Sequence, residues 1–507
     1  MKRSARLSLL VASALSLAHF ASFDLFDSPV LTDVRYFLYF AWQIAEGATP
    51  YLDLFDPKTP LASFAGALLW RLGSALGVEP LYAVRVGYLG LATLGGVLGF
   101  VVFRRLGDGR PAAGFLGLAA GLSFGLLGEL PAIGNIPKLL MVLSASATAL
   151  LCFHRRWGAA GFVGALGFLD WQFGILAWLG AFATALLYGE PRHRAALSTM
   201  FGAVVALVPF VLYFAARGAL GIALEQTVVA ALFRGASSLG ELSAIETLER
   251  VIHVLQLSTD IQWWLCLAAP AGVGVVVWWL VSRRTSDEVR LLVPLAIYHF
   301  GIVFVMLIDF QGFGDAFATL HSLAFFLGAL WVALLVKIEG LVPAGRPAHF
   351  RRTVTAAAVV LAFVAARPGP FRAESPRDRN RPSLSSQRDV AAQLDQMLGD
   401  RVLVAVESSE MLVLLRRPNP LPFIYWNSAT WGHYCDPDRE PAPACLDRWL
   451  DSTGTDVRIV HRASKPNRPR PYGLQGEFAP GAEWSKVTLR ASSGRYRAVV
   501  HERKHAD

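Results

Sequence analysis

Apolar segments recur along the chain from Leu7 to about Ala366, and most are roughly long enough to cross a bilayer as a helix. Several end in short basic clusters, such as Arg104-Arg105 and Arg155-Arg156. Basic residues gather at the cytoplasmic ends of membrane helices, so these clusters fix the orientation of the helices between them. The pattern predicts an all-α polytopic membrane domain over residues 1–366, with about eleven transmembrane helices.

The predicted spans are about 7–23, 81–103, 112–128, 139–153, two short helices within 158–188, 196–216, 262–281, 291–308, 318–336 and 353–366. Residues 158–188 could also form one long helix, which would invert everything that follows. A polar centre at Asp170-Trp171-Gln172 and basic clusters on both sides favour two helices with an external turn. The scheme leaves residues 24–80 as an external loop with two amphipathic pieces, about 33–46 and 60–78.

The last part of the chain, residues 367–507, is rich in Pro, Arg, Asp and Ser and carries only short apolar runs. Val402–Val406, Val457–Val460 and Tyr496–Val500 are typical of strands, while Leu394–Leu398 and Leu446–Leu450 are typical of helices. The sequence therefore predicts a small α/β domain, which the span count places outside the cytoplasm. Cys435 and Cys445 close one polar loop there, and an oxidising compartment would favour a disulfide between them.

Composition supports a membrane protein and excludes one obvious alternative. Hydrophobic residues make up 54% of the chain and the mean hydropathy is +0.44. The net charge of +9 could indicate nucleic-acid binding, but the basic residues lie mainly at the ends of apolar spans. Orientation in the lipid bilayer explains that charge, and we expect no nucleic-acid partner.

The first external loop holds the residues that favour chemistry most. Asp33, Asp53, Asp56 and Lys58 fall within it. A carboxylate at the membrane surface can take a proton from a nucleophile, and a lysine can hold a phosphate. The alternative is a solvated loop with ordinary surface charges.

This loop resembles that of the GT-C superfamily of membrane glycosyltransferases, in particular the bacterial family 39 branch of protein O-mannosyltransferases and lipid A aminoarabinose transferase. The similarity lies in an early aspartate, Asp33, followed by Ala41-Trp42-Gln43-Ile44 and by the stretch Pro50-Tyr51-Leu52-Asp53-Leu54-Phe55-Asp56-Pro57-Lys58-Thr59-Pro60-Leu61. The resemblance implies an inverting transfer of a hexose or pentose from a polyprenyl-phosphate-linked sugar to a lipid, glycan or protein acceptor. It also implies a location in the bacterial inner membrane, with chemistry at its outer face.

By the same resemblance, Asp33 is the general base, and Asp56 and Lys58 line the lipid-phosphate site. Arg35 and Asp53 are further candidates for binding the donor. Val34 and Arg35 follow Asp33 where many relatives have a second acid. A lone carboxylate is a poor site for a divalent cation, so we expect no metal and no other cofactor.

Other polar residues at the outer ends of spans are candidate substrate ligands. They are Glu129, Lys138, Asp170, Gln172 and His321. Asp170 and Gln172 lie at membrane depth, where polar groups are costly and often functional. For each of these residues an ordinary interfacial turn or a packed side chain is the alternative.

Two other classes of function compete with a transferase. A transporter or flippase of a lipid-linked glycan would show internal repeats and polar groups at the membrane midplane. No repeat between the two halves is evident, and the polar residues gather at one membrane face. The second alternative is a non-catalytic GT-C-like membrane scaffold, which the residues after Asp33 keep open.

Overall fold

A helix occupies the position of each predicted span. The computed structural model describes residues 3–30, 33–123, 134, 137–229, 262–282, 287–308, 316–341, 347–366, 382–406, 408–424, 433–435, 442–454, 457–460, 484–494 and 496–503. The helices before the C-terminal part are α1 (Arg3–Ala21), α2 (Val34–Glu46), α3 (Leu61–Ala75), α4 (Pro80–Leu106), α5 (Pro111–Leu122), α6 (Pro137–Phe153), α7 (Trp157–Asp170), α8 (Ile175–Tyr188), α9 (Arg192–Ala216), α10 (Leu220–Leu224), α11 (Gln262–Ser282), α12 (Val289–Ile308), α13 (Ala316–Gly340) and α14 (Pro347–Ala366).

Proline begins several of these helices. Pro80, Pro111 and Pro137 each stand at the first position of a helix, where the missing N–H costs nothing and the fixed φ suits the helix. Among the described residues, four helices are long and apolar enough to cross a membrane, and the other apolar helices are shorter. The chain is thus mostly helical with apolar spans, as the hydropathy pattern predicts, while the count of about eleven crossings stays a prediction.

The segment 158–188 forms two helices, as the sequence predicts. Helix α7 ends at Asp170 because Trp171 adopts an extended backbone, and a 3₁₀ turn over Gln172–Gly174 leads into α8. A side chain on Gly174 would collide with the backbone carbonyl of Gly167. The two helices therefore close into a tight hairpin that only glycine permits at this point.

Two basic residues from different parts of the chain meet at one end of the helix bundle. Glu339, near the end of α13, pairs with Arg110 at 2.7 Å and with Arg351 of α14 at 3.9 Å. The turn that follows α4 therefore lies beside the end of α13 and the start of α14. This common basic end is the one that the positive-inside rule assigns to the cytoplasm.

The C-terminal part docks on the first loop, at residues away from those basic clusters. Leu384 donates its backbone N–H to the carbonyl of Asp27 at 2.8 Å. The side chain of Gln387 forms two hydrogen bonds with the backbone of Val30, at 2.8 and 3.0 Å. The loop and the tail therefore lie on the same side of the bundle.

The tail contains a four-stranded sheet in the order β1-β2-β4-β3. Its elements are α15 (Leu384–Leu398), β1 (Leu403–Val406), α16 (Ser409–Leu415), α17 (Ala442–Ser452), β2 (Val457–Val460), β3 (Trp484–Arg490) and β4 (Arg497–Arg503). Strands β1 and β2 are parallel, which requires the crossover that carries α16 and α17. Strand β4 runs antiparallel to both β2 and β3. The three predicted strands are present, whereas β3 and α16 were not predicted.

Candidate functional site

Asp33 stands immediately before α2, the first amphipathic helix of the external loop. Its backbone carbonyl accepts the N–H groups of Tyr36 and Phe37 at 3.0 and 3.3 Å, which starts the helix. Helix α2 buries an apolar face that includes Phe37 and Trp42, so its position is fixed by packing. The carboxylate of Asp33 is consequently held at the start of a well-anchored helix, where it remains half-exposed.

Two lysines approach the same oxygen of Asp33. Its Oδ2 lies 3.6 Å from Nζ of Lys58 and 3.9 Å from Nζ of Lys138. The side chains of Asp33, Lys58 and Lys138 are 44%, 18% and 4% exposed, respectively. The group thus carries one negative and two positive charges, and the positive charges are the buried ones.

Aromatic rings support both ammonium groups. Lys58 Nζ lies 4.8 Å from the centroid of Phe37, and Lys138 Nζ lies 4.7 Å from that of Trp171. Such cation–π contacts offset part of the cost of removing an ammonium from water. The two rings also restrict where the lysine side chains can turn.

Asp56 lies beneath Lys58 in the same loop. Its Oδ1 accepts the backbone N–H of Lys58 at 3.0 Å. Burial raises the pKa of the Asp56 carboxyl to about 7, because the positive charge of Lys58 and this hydrogen bond oppose the loss of solvent only in part, and the Asp33 charge adds to the rise. Asp56 is therefore a carboxyl that changes charge near neutral pH.

Tyr51 holds the loop in an unusual conformation. It has a φ of 68°, in the left-handed region that residues with a side chain rarely adopt. Its hydroxyl donates to the backbone carbonyl of Lys58 at 2.7 Å, and its ring packs on Phe214 of α9. These contacts hold the residue in place, and strain of this kind often accompanies a functional loop.

Two glutamines connect the loop to distant parts of the chain. Gln226, just after α10, accepts the N–H of Asp56 at 3.0 Å and donates to the carbonyl of Tyr51 at 2.9 Å. Gln172, in the hairpin between α7 and α8, donates to the carbonyls of Pro57 and Thr227 at 2.6 and 3.2 Å. The predicted site residue Gln172 thus positions the loop, and Gln226 is a site residue that sequence reasoning missed.

Asp170 is fully buried at the end of α7. Its Oδ2 accepts the backbone N–H of Met141 at 2.8 Å. Met141 lies one turn after Lys138 in α6, so this hydrogen bond ties the hairpin to the helix that presents Lys138. Asp170 therefore fixes the hairpin against the helix that carries Lys138.

Arg35 faces the tail. Its guanidinium lies 3.7 Å from Oε2 of Glu410 in α16, and it donates to the hydroxyl of Tyr36 at 2.6 Å. The other carboxylate oxygen of Glu410 accepts the hydroxyl of Tyr496 at 2.9 Å. Arg35 thus connects the start of α2 to the C-terminal domain through a buried carboxylate.

Two of the remaining predicted site residues, Asp53 and His321, make other contacts in the structure. Asp53 is exposed, and its Oδ2 accepts the N–H of Thr49 within a turn at 2.6 Å. His321 lines an apolar cavity in the helix bundle, with its ring centroid 5.6 Å from that of His299. Glu129 lies outside the described residues.

A second contact with the tail holds the loop at Phe55. This side chain is fully buried, with ring centroids 5.1 Å from His433 and 5.5 Å from Tyr434. The next residue, Cys435, forms a disulfide with Cys445 of α17, with 6.2 Å between the two Cα atoms. The tail thereby packs against the neighbour of Asp56.

This arrangement can bind an anion beside a proton acceptor. Two ammonium groups within 4 Å of one carboxylate oxygen form a charged site at the edge of the helix bundle. A phosphate is a natural ligand for paired lysines, and a half-exposed carboxylate can accept a proton. Among the described residues, no group of three or more His, Cys, Asp or Glu side chains could hold a metal ion.

Comparison with known proteins identifies the fold. No protein-family model and no curated protein sequence matches the chain. Two crystal structures of ArnT from Cupriavidus metallidurans do match it. One, bound to undecaprenyl phosphate, has a TM-score of 0.59 and 16% identity over 97% of each chain. The other, in the apo state, has a TM-score of 0.59 and 14% identity over 98% of each chain. This chain therefore has the fold of ArnT over nearly its whole length, and the predicted resemblance is confirmed at the level of the fold.

Proposed function

We propose that this protein is a membrane glycosyltransferase that moves a sugar from a polyprenyl-phosphate donor to an acceptor at the outer face of the bacterial inner membrane. The observation that carries the proposal is the position of the Asp33 carboxylate within 4 Å of the ammonium groups of both Lys58 and Lys138. Its setting adds support, because a protein of the same fold has been solved with undecaprenyl phosphate.

The two lysines are suited to stabilise the phosphate leaving group. A polyprenyl-phosphate sugar is a phosphodiester with one negative charge, and the polyprenyl phosphate that leaves is a monoester with more. Charge therefore grows on the phosphate as the bond to the sugar breaks. Paired ammonium groups stabilise that growing charge more than they stabilise the bound donor, which is what lowers a reaction barrier.

Asp33 is suited to act as the general base. An acceptor hydroxyl is a weak nucleophile near neutral pH and needs a group that takes its proton during attack. In the proposed step the hydroxyl oxygen bonds to the anomeric carbon, the bond from that carbon to the phosphate oxygen breaks with its electron pair left on the phosphate, and the proton passes to Asp33. Attack opposite the phosphate inverts the anomeric centre.

The low exposure of the lysines supports a site that excludes water. Lys138 is almost wholly buried and Lys58 largely so. A charge interaction is stronger where water is excluded, and exclusion also limits hydrolysis of the donor. Asp33 is more exposed than either lysine, and it is the residue that the acceptor must reach to lose its proton.

The test is a transfer assay with purified protein. Radiolabelled polyprenyl-phosphate sugars are incubated with the protein and a membrane extract, and the label is followed into lipid, glycan and protein fractions. We expect one fraction to gain label from one donor. Label that stays on the donor lipid, or moves only across a bilayer, would contradict the proposal and favour a scaffold or a flippase.

Matched variants make this assay specific. Asp33→Asn removes the base, and we expect it to abolish most of the transfer. Glu46→Gln changes an exposed carboxylate at the far end of the same helix and should transfer as the wild type does. Equal transfer by both variants would separate the activity from Asp33.

A further inference from the structure

The lysines that suit the donor phosphate are engaged with the base. Lys58 and Lys138 both approach Oδ2 of Asp33, at 3.6 and 3.9 Å. Opposite charges at this distance favour the charged form of a carboxylate. In this arrangement Asp33 is therefore a weak proton acceptor, although its proposed role requires it to accept one.

A bound phosphate would change that balance. Its oxygens are ligands for the same two ammonium groups, which belong to side chains only 18% and 4% exposed. The rings of Phe37 and Trp171 further limit the positions of the lysines. As the phosphate attracts the two lysines, the electrostatic attraction between the lysines and Asp33 becomes weaker.

We infer that Asp33 and the donor phosphate compete for Lys58 and Lys138, so that donor binding itself releases Asp33 to act as the base. The inference rests on the proposed function and adds a sequence of events, in which the donor binds before Asp33 can act as the base. The base is held inactive until the donor draws the lysines away. It becomes active only when there is a sugar to transfer.

The same competition describes the end of the cycle. After transfer, Asp33 carries the acceptor's proton, and the polyprenyl phosphate carries its full charge beside the lysines. Loss of that proton to water restores the Asp33 carboxylate. The restored carboxylate again attracts the lysines and so weakens their hold on the product, which favours its release.

Binding measurements with Asp33→Asn test the inference, because competition and simple support predict opposite results. If Asp33 competes with the phosphate, removal of its charge should tighten binding. If Asp33 only holds the lysines in place for the phosphate, its removal should weaken binding. The ligand is methyl undecaprenyl phosphate, a phosphodiester with one charge, titrated into purified protein in lipid nanodiscs.

We expect Asp33→Asn to bind this diester about two- to fivefold more tightly than the wild type, the usual scale of a partly exposed ion pair. Asp33→Ser, which keeps a residue suited to begin a helix, should show the same gain. Glu46→Gln should bind as the wild type does, and the gain should disappear when Lys138→Met is added to Asp33→Asn.

The outcomes separate this inference from the proposed function. Tighter binding by both Asp33 variants supports competition. Equal or weaker binding by them, with saturable binding by the wild type, would overturn the inference and leave the proposed transferase standing. Absence of saturable binding by every variant and by the wild type would overturn the proposed function, and the inference with it.

Discussion

Gln226 accepts the backbone N–H of Asp56 at 3.0 Å, and its amide nitrogen donates to the carbonyl of Tyr51 at 2.9 Å. The glutamine is fully buried, so it satisfies two loop groups that water does not reach. Gln226→Leu should leave both groups unpaired, at a cost of roughly 1–3 kcal/mol each. We expect a lower unfolding temperature by scanning fluorimetry and weaker binding of undecaprenyl phosphate. Gln393→Ala, on the tail, serves as control; equal behaviour of the two variants would contradict the anchoring role.

Asp56 gives a second prediction, in the pH dependence of stability. Its folded pKa is raised to about 7 and its unfolded pKa is about 3.9, so the folded state binds the extra proton between these values. The associated stability is present below pH 4 and is lost as the pH rises through 7. Asp56→Asn removes the titration and keeps the oxygen that accepts the N–H of Lys58. We therefore expect Asp56→Asn to be more stable than the wild type, by an amount that grows from pH 4 to 8.

Unfolding temperatures across that pH range check this prediction, with Asp53→Asn as the matched control. Asp53 lies in the same loop but is exposed, so its variant should follow the wild type at every pH. A constant difference between Asp56→Asn and the wild type from pH 4 to 8 would show that the Asp56 carboxyl does not titrate in this range.

Much of the site can be predicted from the sequence because its residues lie close together along the chain or beside a clear hydropathy signal. Asp33, Asp56 and Lys58 fall within one loop, and Lys138 begins the helix that follows an external turn. The break at Asp170 is predictable because a carboxylate is costly within an apolar segment. Short apolar runs likewise predict β1 and β2. In each of these cases the deciding signal lies within a few residues of the feature.

The contacts that position the site are not predictable in this way. Gln226 lies just after α10, and nothing in its neighbours indicates that it pairs with a residue 170 positions earlier. The sequence predicts that Arg35, close to Asp33, binds the donor. In the structure its guanidinium contacts Glu410 of the tail. Strand β3 alternates polar and partly buried residues at a sheet edge, so its apolar signal is weak. These features depend on tertiary pairing, which one sequence does not show.

The orientation of the tail gives a third prediction. Arg110, which follows α4, and Arg351 of α14 share one end of the bundle through Glu339, and the positive-inside rule assigns that end to the cytoplasm. A reporter fused after Arg367 should then be active as alkaline phosphatase and dark as a cytoplasmic fluorescent protein. The same reporters fused after Arg105 should show the reverse. Fluorescence after Arg367 would place the tail, and the site with it, in the cytoplasm.

The disulfide gives a fourth prediction, because it follows the residues that pack on Phe55. Cys435–Cys445 should appear as one crosslinked peptide by mass spectrometry without reduction, with Cys152 as the free, buried control. Closing this short loop contributes about 2–3 kcal/mol to tail stability. Cys435→Ser should therefore loosen Tyr434 on Phe55 and raise the KM for the donor, with little change in kcat. Free thiols on both residues in protein from an oxidising compartment would contradict the pairing.

The last prediction divides the catalytic roles of the charged cluster. Asp33→Asn keeps the size and hydrogen bonding of the side chain but cannot accept the proton, so turnover should fall about 10²-fold or more. Lys58→Ala deletes a charge partner of the phosphate, so it should raise the KM for the donor and also lower kcat, because the charge on the phosphate grows in the transition state. EDTA should change the rate little, because Val34 leaves no paired carboxylate and the two lysines disfavour a divalent cation beside Asp33. Steady-state kinetics on the labelled donor, with Glu46→Gln as control, measure all three. Full activity of a well-expressed Asp33→Asn protein would remove Asp33 from the mechanism, and strong inhibition by EDTA would require a metal-dependent one.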